Sequence, residues 1–378
     1  MSIRIVHCIL EPRYSGAEVL VLGLVHAQIS AGVITAVIAL RPSEQLFEPE
    51  LETLAALGCR IYVPTKRLVH QERIFWIRRA TRAFRPDVLF AHSALPSVYS
   101  RVALIGVPGV SIITVLHTDE DFDNRRLRLY EKLMWRRNAI VVGVSPASLR
   151  NYRRLITEKQ ETQLIANGVN IKGIRAAIPH RDEVRNSVFR AAPDEVILLQ
   201  VGRVTPQKQQ RLSVEALAAL KNRISIDKVR LFFAGVVERS DYYEEVVALA
   251  RVLGVEDRIQ FLGSRQDVPL LLAGADAHLM PSGWEAQGIA ALEALASGIY
   301  CIFTPLDAFF PFREMPGVHI LPENSKGTQF AASLEAAIRT AATASRYMRE
   351  MEQFDFERCA NEYLRLAEMM ALRTSQKQ

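Results

Sequence analysis

Short runs of apolar residues alternate along the chain with longer stretches whose apolar residues recur at helical spacing. The short runs are typical of buried strands, and the longer stretches are typical of amphipathic helices. An alternation of this kind predicts a parallel α/β fold, and it occurs here as two separate series. The predicted strands lie at 4–10, 35–40, 88–91, 111–116 and 139–144 in the first series, and at 195–201, 229–234, 259–262, 277–280 and 300–303 in the second.

The two series are separated by the segment 167–170 (Asn-Gly-Val-Asn) and by a polar segment that runs to Arg190. We therefore predict a first domain at 1–170, a second at 171–355, and a helix within 356–378 that packs back on the first domain. Both domains are predicted to be doubly wound and Rossmann-like, and to face each other across a cleft. Sheets of this type bind ligands at the carboxyl ends of their strands.

The composition indicates the class of protein, the state of its cysteines and its expected location. With 49% hydrophobic and 23% charged residues, the chain is an ordinary globular protein. Its four cysteines lack the spacing of a disulfide framework or a metal site, which favours reduced core residues. Residues 1–10 are predicted to form a strand rather than a signal peptide, and no apolar run has the length of a membrane span. We expect a cytoplasmic protein, or one that lies on the inner face of the membrane.

Positive charge is concentrated in the first half of the chain. Residues 1–172 carry a net charge of +8 and the remaining residues a net charge of −2. Two basic amphipathic segments with Trp, Leu and Phe residues, at 73–85 and 125–137, suit the surface of an anionic membrane. The alternative is that both are ordinary helices with a core face and a solvated basic face. No base-reading module accompanies the charge, so nucleic acid is not an expected partner.

The segment 281–298 carries the most specific chemistry. Glu285 and Glu293 stand eight positions apart, on either side of a predicted loop-to-helix junction at Gly288. Unpaired N–H groups at the start of a helix are a favourable seat for phosphate. Two acids that flank a held anion fit a nucleotide sugar, which has a sugar, a diphosphate and a ribose in line.

A second motif lies at 201–208, where Gly202 and Arg203 end a predicted strand and Lys208 precedes a helix. Two cations at the mouth of a strand–loop–helix unit suit a diphosphate, because Arg binds it bidentately and Lys acts as a point charge. Taken alone, this motif is better explained as two solvated cations on a surface turn.

Together these motifs and others along the chain resemble the retaining glycosyltransferases of family 4, which have the GT-B architecture. The resemblance covers nearly the whole chain, and the order and spacing of its segments carry it. The further segments are 15–18 (Ser-Gly-Ala-Glu), 86–93, 116–118 (Leu-His-Thr), 142–145, 165–170, 261–264, 267–268, 275–276 and 281–282.

The resemblance implies roles for individual residues. In the second domain, the nucleotide-sugar-binding one, Arg203 and Lys208 would hold the diphosphate and neutralise the charge that builds on the leaving group. Glu293 would accept hydrogen bonds from the ribose hydroxyls, and Glu285 would orient the transferred sugar. The remaining donor-binding positions that the resemblance implies are Gly202, Ser264, Arg265, Gly288 and Ile289.

In the first domain, the acceptor-binding one, the resemblance assigns His117 to the face of the donor sugar across the cleft. Gly16 would allow close approach of the backbone to phosphate or acceptor. Each has an alternative, because His117 could be a core histidine and Gly16 could serve only a tight turn. His92 occupies a similar strand end, and we expect a structural role for it.

The reaction implied is transfer of a sugar from a UDP- or GDP-sugar to a hydroxyl of a glycan or lipid-linked saccharide, in cell-surface polysaccharide synthesis. No metal or other cofactor is expected, because Arg203 and Lys208 supply the positive charge. The chain departs from the family at 285–288 (Glu-Ala-Gln-Gly), at the apolar segment 304–311 and in the loop after Gly235. These departures affect the identity of the sugar and base. The alternatives are a nucleotide-sugar epimerase and a catalytically degenerate binding subunit.

Overall fold

The computed structural model describes residues 2–134, 139–341 and 346–376. They form two compact units, the first made of Met1–Gly168 with Phe356–Gln378 and the second of Val169–Asp355. The first unit therefore ends two residues before the boundary expected at 170, and the chain returns to it at 356.

The first unit contains a seven-stranded parallel sheet with the strand order β3-β2-β1-β4-β5-β6-β7. The strands are β1 (Arg4–Ile9), β2 (Ile34–Ala39), β3 (Arg60–Tyr62), β4 (Val88–His92), β5 (Ser111–Leu116), β6 (Ala139–Gly143) and β7 (Thr162–Leu164). The helices between them are α1 (Gly16–Ser30), α2 (Glu48–Ala56), α3 (His70–Phe84), α4 (Ala94–Ala103), α5 (Arg125–Met134) and α6 (Pro146–Leu155).

The second unit contains a six-stranded parallel sheet with the strand order β10-β9-β8-β11-β12-β13. Its strands are β8 (Val196–Val201), β9 (Val229–Ala234), β10 (Ile259–Phe261), β11 (Ala277–Met280), β12 (Tyr300–Phe303) and β13 (Val318–Ile320). Its helices are α7 (Ile171–Ala177), α8 (Arg181–Val184), α9 (Gln210–Leu220), α10 (Ser240–Val252), α11 (Val268–Gly274), α12 (Ile289–Ser297) and α13 (Gly327–Ala341).

The last helix, α14 (Phe356–Ser375), belongs to the first unit. It packs against α1 and against β4 and β5. Gly23 of α1 makes room for it, because a β-carbon at that position would lie 2.5 Å from the ring of Phe356. At its other end, Ser111 Oγ donates to the carbonyl of Met370 at 2.9 Å.

Both sheets have the doubly wound order, in which the direction of the crossovers reverses once. The reversal lies between β1 and β4 in the first unit and between β8 and β11 in the second. Loops that leave two neighbouring strands in opposite directions open a crevice at the carboxyl ends of those strands. The predicted fold class, two doubly wound parallel α/β domains, is confirmed.

The polar segment that ends at Arg190 is not the linker that its composition suggests. Residues 171–189 are helical, and Ile174, Val184 and Phe189 are buried in the core of the second unit. Arg185 is buried with them, with Nη1 2.9 Å from Asp276 Oδ2. Few apolar residues suffice here, because the larger ones, such as Ile174, Val184 and Phe189, fall on the inner side of successive helical turns.

The structure also bears on the predictions about the cysteines, membrane-spanning helices and the basic helix 125–137. All four cysteines are buried and free of disulfide bonds, as predicted, and burial raises the pKa of Cys8 to about 12. Among the described residues, no helix combines the length and the apolar character needed to cross a bilayer. Of the predicted basic helix 125–137, residues 135–137 lie outside the described part of the chain.

Candidate functional site

The second unit places its candidate site at the reversal of strand order between β8 and β11. The loop after β8 leads through a single 3-10 turn, Pro206–Lys208, into α9, and the loop after β11 leads into α12. Seven of the predicted site residues belong to these two loops and to the start of α12. They are Gly202, Arg203, Lys208, Glu285, Gly288, Ile289 and Glu293.

Lys208 and Glu285 join the two loops directly. Lys208 Nζ lies 2.5 Å from Glu285 Oε1, and the two side chains are only 12% and 9% exposed. Gly202 makes this arrangement possible, because a β-carbon there would lie 3.1 Å from Cε of Lys208. The backbone of Lys208 is fixed too, since Gln200 Nε2 donates to its carbonyl at 2.6 Å. An ammonium group is therefore held at the strand ends with little freedom to move.

Arg203 has a partner that the sequence analysis missed. Its Nη1 lies 2.5 Å from Oε2 of Glu238, in the loop after β9, and its Nη2 lies 3.5 Å from Oε1 of Gln207. Gln210 Nε2 donates to the Arg203 carbonyl at 2.9 Å. Both cations at the crevice are thus paired with carboxylates, so an incoming diphosphate would exchange partners with Glu238 and Glu285.

Helix α12 begins at Ile289, as predicted, with Gly288 as its N-cap. Gly288 has φ of +75°, and no side chain caps the helix. A β-carbon at Gly288 would lie 3.1 Å from both Met280 and Phe309. Phe309 is fully buried and stacks on Phe303 with ring centroids 4.7 Å apart. Phe309, from the apolar segment 304–311, therefore packs against Gly288 at a helix N-terminus that no side chain caps, and such a terminus suits an anion.

Glu293 lies on the second turn of α12 and is partly buried. Loss of solvent raises the pKa of its carboxyl group to about 7. Within the described residues it has neither a hydrogen-bond nor an ion-pair partner. A carboxyl group that titrates near neutrality can both accept and donate hydrogen bonds, which suits a ligand with hydroxyl groups.

Ser264 and Arg265 lie in a third loop, which adjoins the loops after β8 and β9. They follow β10, an edge strand that β9 separates from β8. The Gly235 N–H group, after β9, donates to the carbonyl of Gly263 at 2.8 Å, and a β-carbon at Gly235 would collide with the carbonyl of Gly202. Ser264 is exposed, and Arg265 forms a bidentate pair with Asp267, with contacts of 2.8 and 2.5 Å. A contact between these two residues and a bound nucleotide stays a prediction.

In the first unit, Gly16 is the first residue of α1, which follows β1, and His117 follows β5 directly. The backbone N–H groups of His117 and Thr118 donate to Asp121 Oδ2 at 2.8 and 3.0 Å, which fixes the loop. Burial lowers the pKa of His117 to about 4, so its ring is neutral at physiological pH. His117 Nε2 lies 2.9 Å from Nδ1 of His92.

Two doubly wound parallel units, one of them with paired cations and an open helix N-terminus at its strand-order reversal, place the protein in the Rossmann-like α/β class. Comparison with known families gives the family. Residues 14–172 match the model of "Glycosyltransferase Family 4", and residues 182–344 match that of "Glycosyl transferases group 1". The chain belongs to these glycosyltransferase families.

Individual relatives agree with this assignment. The chain is 29% identical over 195 residues to the lipopolysaccharide glucosyltransferase WaaG of Escherichia coli (strain K12), covering 50% of this chain and 49% of WaaG. It is 25% identical over 234 residues to the UDP-Gal:alpha-D-GlcNAc-diphosphoundecaprenol alpha-1,3-galactosyltransferase of Escherichia coli, covering 58% of each. The chain thus spans about half the length of the curated relatives it matches.

A solved structure, Anabaena HepE in complex with UDP-glucose, superimposes over 99% of this chain and 98% of its own. The TM-score is 0.76 at 18% sequence identity, a likeness that concerns the fold.

Proposed function

We propose that this chain is a retaining glycosyltransferase that moves a sugar from a UDP- or GDP-sugar to a hydroxyl of a glycan or lipid-linked saccharide, in polysaccharide or glycolipid synthesis. The observation that carries the proposal is the largely buried Lys208–Glu285 pair beside the uncapped N-terminus of α12. The relatives support the choice of substrates, because one is named as a UDP-galactose-dependent enzyme acting on a diphosphoundecaprenol-linked sugar.

In the proposed reaction, the bond between the anomeric carbon and the phosphate oxygen breaks, and a bond to the acceptor oxygen forms on the same face. The acceptor proton goes to the departing phosphate oxygen. Lys208 and Arg203 would stabilise the negative charge on that phosphate, while the N–H groups at Gly288 and Ile289 bind the diphosphate. Glu293 would hold the ribose hydroxyls, and Glu285, released from Lys208, would orient the sugar.

A panel of nucleotide sugars tests this proposal. The cognate donor should raise the melting temperature by an amount that grows with the logarithm of its concentration over Kd, whereas free sugars should not. That donor, incubated with glycan and polyprenyl-diphosphate-linked acceptors, should yield a product with the donor's anomeric configuration, read by NMR. Release of an epimerised free sugar without any acceptor would favour the epimerase instead. Donor binding without transfer, together with an unaffected Glu285→Ala variant in cells, would favour a binding subunit.

We further propose that α5 docks on anionic lipid. Leu129 and Leu133, one turn apart, are 56% and 71% exposed, and Arg125, Arg126 and Lys132 are exposed beside them. Exposed leucines flanked by cations suit the interface of an anionic bilayer. A lipid-linked acceptor would be reached from such a position.

The contribution of the other basic helix, α3, is smaller than its sequence suggests. Trp76 Nε1 donates to the carbonyl of Ala39 at 3.1 Å, and Arg78 donates to the carbonyl of Ile105 at 3.0 Å. Phe75, which is 71% exposed, is the one large apolar side chain on its exposed face among the described residues, beside the exposed arginines at 79, 82 and 85. The proposed lipid contact therefore depends mainly on α5.

Sedimentation with vesicles measures this contact. The protein should pellet with phosphatidylglycerol-containing vesicles but not with pure phosphatidylcholine, and 0.5 M salt should release most of it (the Debye length falls to about 4 Å). Leu129→Ser with Leu133→Ser should reduce pelleting severalfold, whereas Val252→Ser, at a residue of the second unit that is 83% exposed, should not. Equal pelleting with both lipids, or none, would contradict the proposed docking.

A further inference from the structure

Three histidines of the first unit form a continuous hydrogen-bonded chain. His7 Nδ1 lies 3.0 Å from His92 Nε2, and His92 Nδ1 lies 2.9 Å from His117 Nε2. At the inner end, His7 Nε2 lies 2.9 Å from Oε1 of Gln28 on α1. Among the described residues, no group of His, Cys, Asp or Glu is placed to hold a metal ion, so these contacts are hydrogen bonds between rings.

The register of the parallel sheet brings the three histidine rings together. His7 of β1 is in register with Phe90 of β4, and His92 is in register with Val115 of β5. Each histidine therefore lies two residues further along than the position opposite its neighbour, on the same face of the sheet. The rings follow this diagonal, with centroids 5.3 Å apart for His7 and His92 and 5.2 Å apart for His92 and His117.

All three rings are neutral at physiological pH. Burial lowers the pKa of His7 and of His117 to about 4, and it lowers that of His92 well below the usual value. A neutral imidazole has one N–H group and one lone pair. Each contact in the chain needs one donor and one acceptor, so all three rings must adopt the same tautomer.

Gln28 determines which tautomer that is. Its Oε1 accepts a hydrogen bond, which places the proton of His7 on Nε2 and leaves Nδ1 to accept from His92. His92 must then donate from Nε2 to His7 Nδ1, and His117 must donate from Nε2 to His92 Nδ1, so both are protonated on Nε2. The lone pair of His117 Nδ1 is then the free end of the chain. Turning the Gln28 amide to donate through Nε2, which is buried without a partner, would reverse every bond and turn His117 Nδ1 into a donor.

We propose that Gln28, His7 and His92 are positioning residues that hold His117 in the Nε2–H tautomer, so that its Nδ1 accepts a hydrogen bond from a carbohydrate hydroxyl. The substrate part of this inference rests on the proposed function, whereas the tautomer does not. A residue of α1 some three side chains away thereby decides whether the site recognises a hydroxyl as a donor or an oxygen as an acceptor.

The tautomer is measured without any substrate. In protein with ¹⁵N-labelled histidine, two-bond ¹⁵N–¹H couplings identify the protonated nitrogen of each of the eight rings. Single His→Gln substitutions assign the signals of His7, His92 and His117. All three should be protonated on Nε2 at pH 7. Protonation of His117 on Nδ1, or an even mixture of tautomers, would overturn the inference, whatever reaction the protein catalyses.

Gln28 variants test whether Gln28 sets the tautomer of His117 through the two intervening rings. Gln28→Leu removes the acceptor, so we expect mixed tautomers at His117 and a loss of about tenfold in kcat/KM, the effect of one misaligned hydrogen bond. Gln28→Glu supplies, in its ionised form, an acceptor that cannot donate, and at a pH that keeps the carboxylate ionised it should restore the Nε2–H tautomer and most of kcat/KM. A purely structural role predicts the opposite order, because a buried charge destabilises more than leucine does.

Gln160→Leu is the matched control, because Gln160 is a buried glutamine of the same unit that is not part of the chain of rings. It should leave both the His117 tautomer and kcat/KM unchanged, with melting temperatures recorded for all variants. If the wild-type protein transfers sugar and Gln28→Leu leaves tautomer and kcat/KM unchanged, the positioning role is wrong. If no sugar is transferred at all, the coupling data still decide the tautomer, and the proposed function alone fails.

Discussion

Replacing Lys208 with alanine should lower the rate of sugar transfer by a factor on the order of 10² or more, because removal of one preorganised charge at a developing oxyanion has this effect in other enzymes. Lys208 is suited to such a role, since its ammonium group is only slightly exposed and is anchored by Glu285. A charge in that environment is screened far less by water than one at the surface. The measurement is kcat at saturating donor and acceptor.

The reduction must be separated from damage to the fold, because Lys208→Ala also leaves Glu285 without its partner. Lys208→Met keeps the side-chain stem that lies against Gly202 and should lose the same rate. Lys228→Ala removes a lysine of the same unit whose pair with Asp194 is 66% and 58% exposed, and it should retain wild-type turnover. Wild-type turnover in both Lys208 variants would contradict the proposed role of Lys208 in stabilising the departing diphosphate.

Much of this site could be predicted from the sequence, because its residues lie in two short segments. The apolar runs locate the ends of β8 and β11, and the Ala- and Leu-rich segment after Gly288 locates the start of α12. Loop position and helix start are local properties of the chain. The approximate places of Arg203, Lys208 and Glu285 therefore follow without knowledge of the tertiary structure.

Contacts between loops could not be predicted in this way. Glu238 contacts Arg203 only because β9 is the neighbour of β8, and strand order is not encoded near either residue. The chain of rings depends on register as well, since a shift of one residue would place His92 on the opposite face of the sheet. In the sequence, His92 and His117 are two separate strand ends and His7 carries no signal, because only the register of the sheet joins the three rings.

Breaking the buried pair of Arg101 and Glu131 should have the largest effect on stability in the first unit. Arg101 Nη2 lies 2.8 Å from Glu131 Oε1, and both side chains are fully buried. Tyr152 OH donates to the same carboxylate at 3.0 Å. Glu131→Leu leaves the guanidinium buried without a counter-charge, and it should destabilise the unit by about 3–5 kcal/mol. Hydrogen exchange of the α4 and α5 amides measures the loss.

The charge itself, rather than packing, should account for most of that loss. Arg101→Leu combined with Glu131→Leu removes both charges and should recover most of the protection, since an apolar pair of similar volume commonly replaces a buried ion pair without cost. Glu161→Leu breaks the exposed pair with Arg373 and should cost at most about 1 kcal/mol.

Because Glu131 is the buried residue of α5, the single variant should also weaken the proposed lipid contact, and the double variant should restore it. Equal destabilisation by the single and double variants would show instead that the hydrogen bonds from Tyr152 and Ser97 to Glu131, and not the unpaired charge of Arg101, account for the loss.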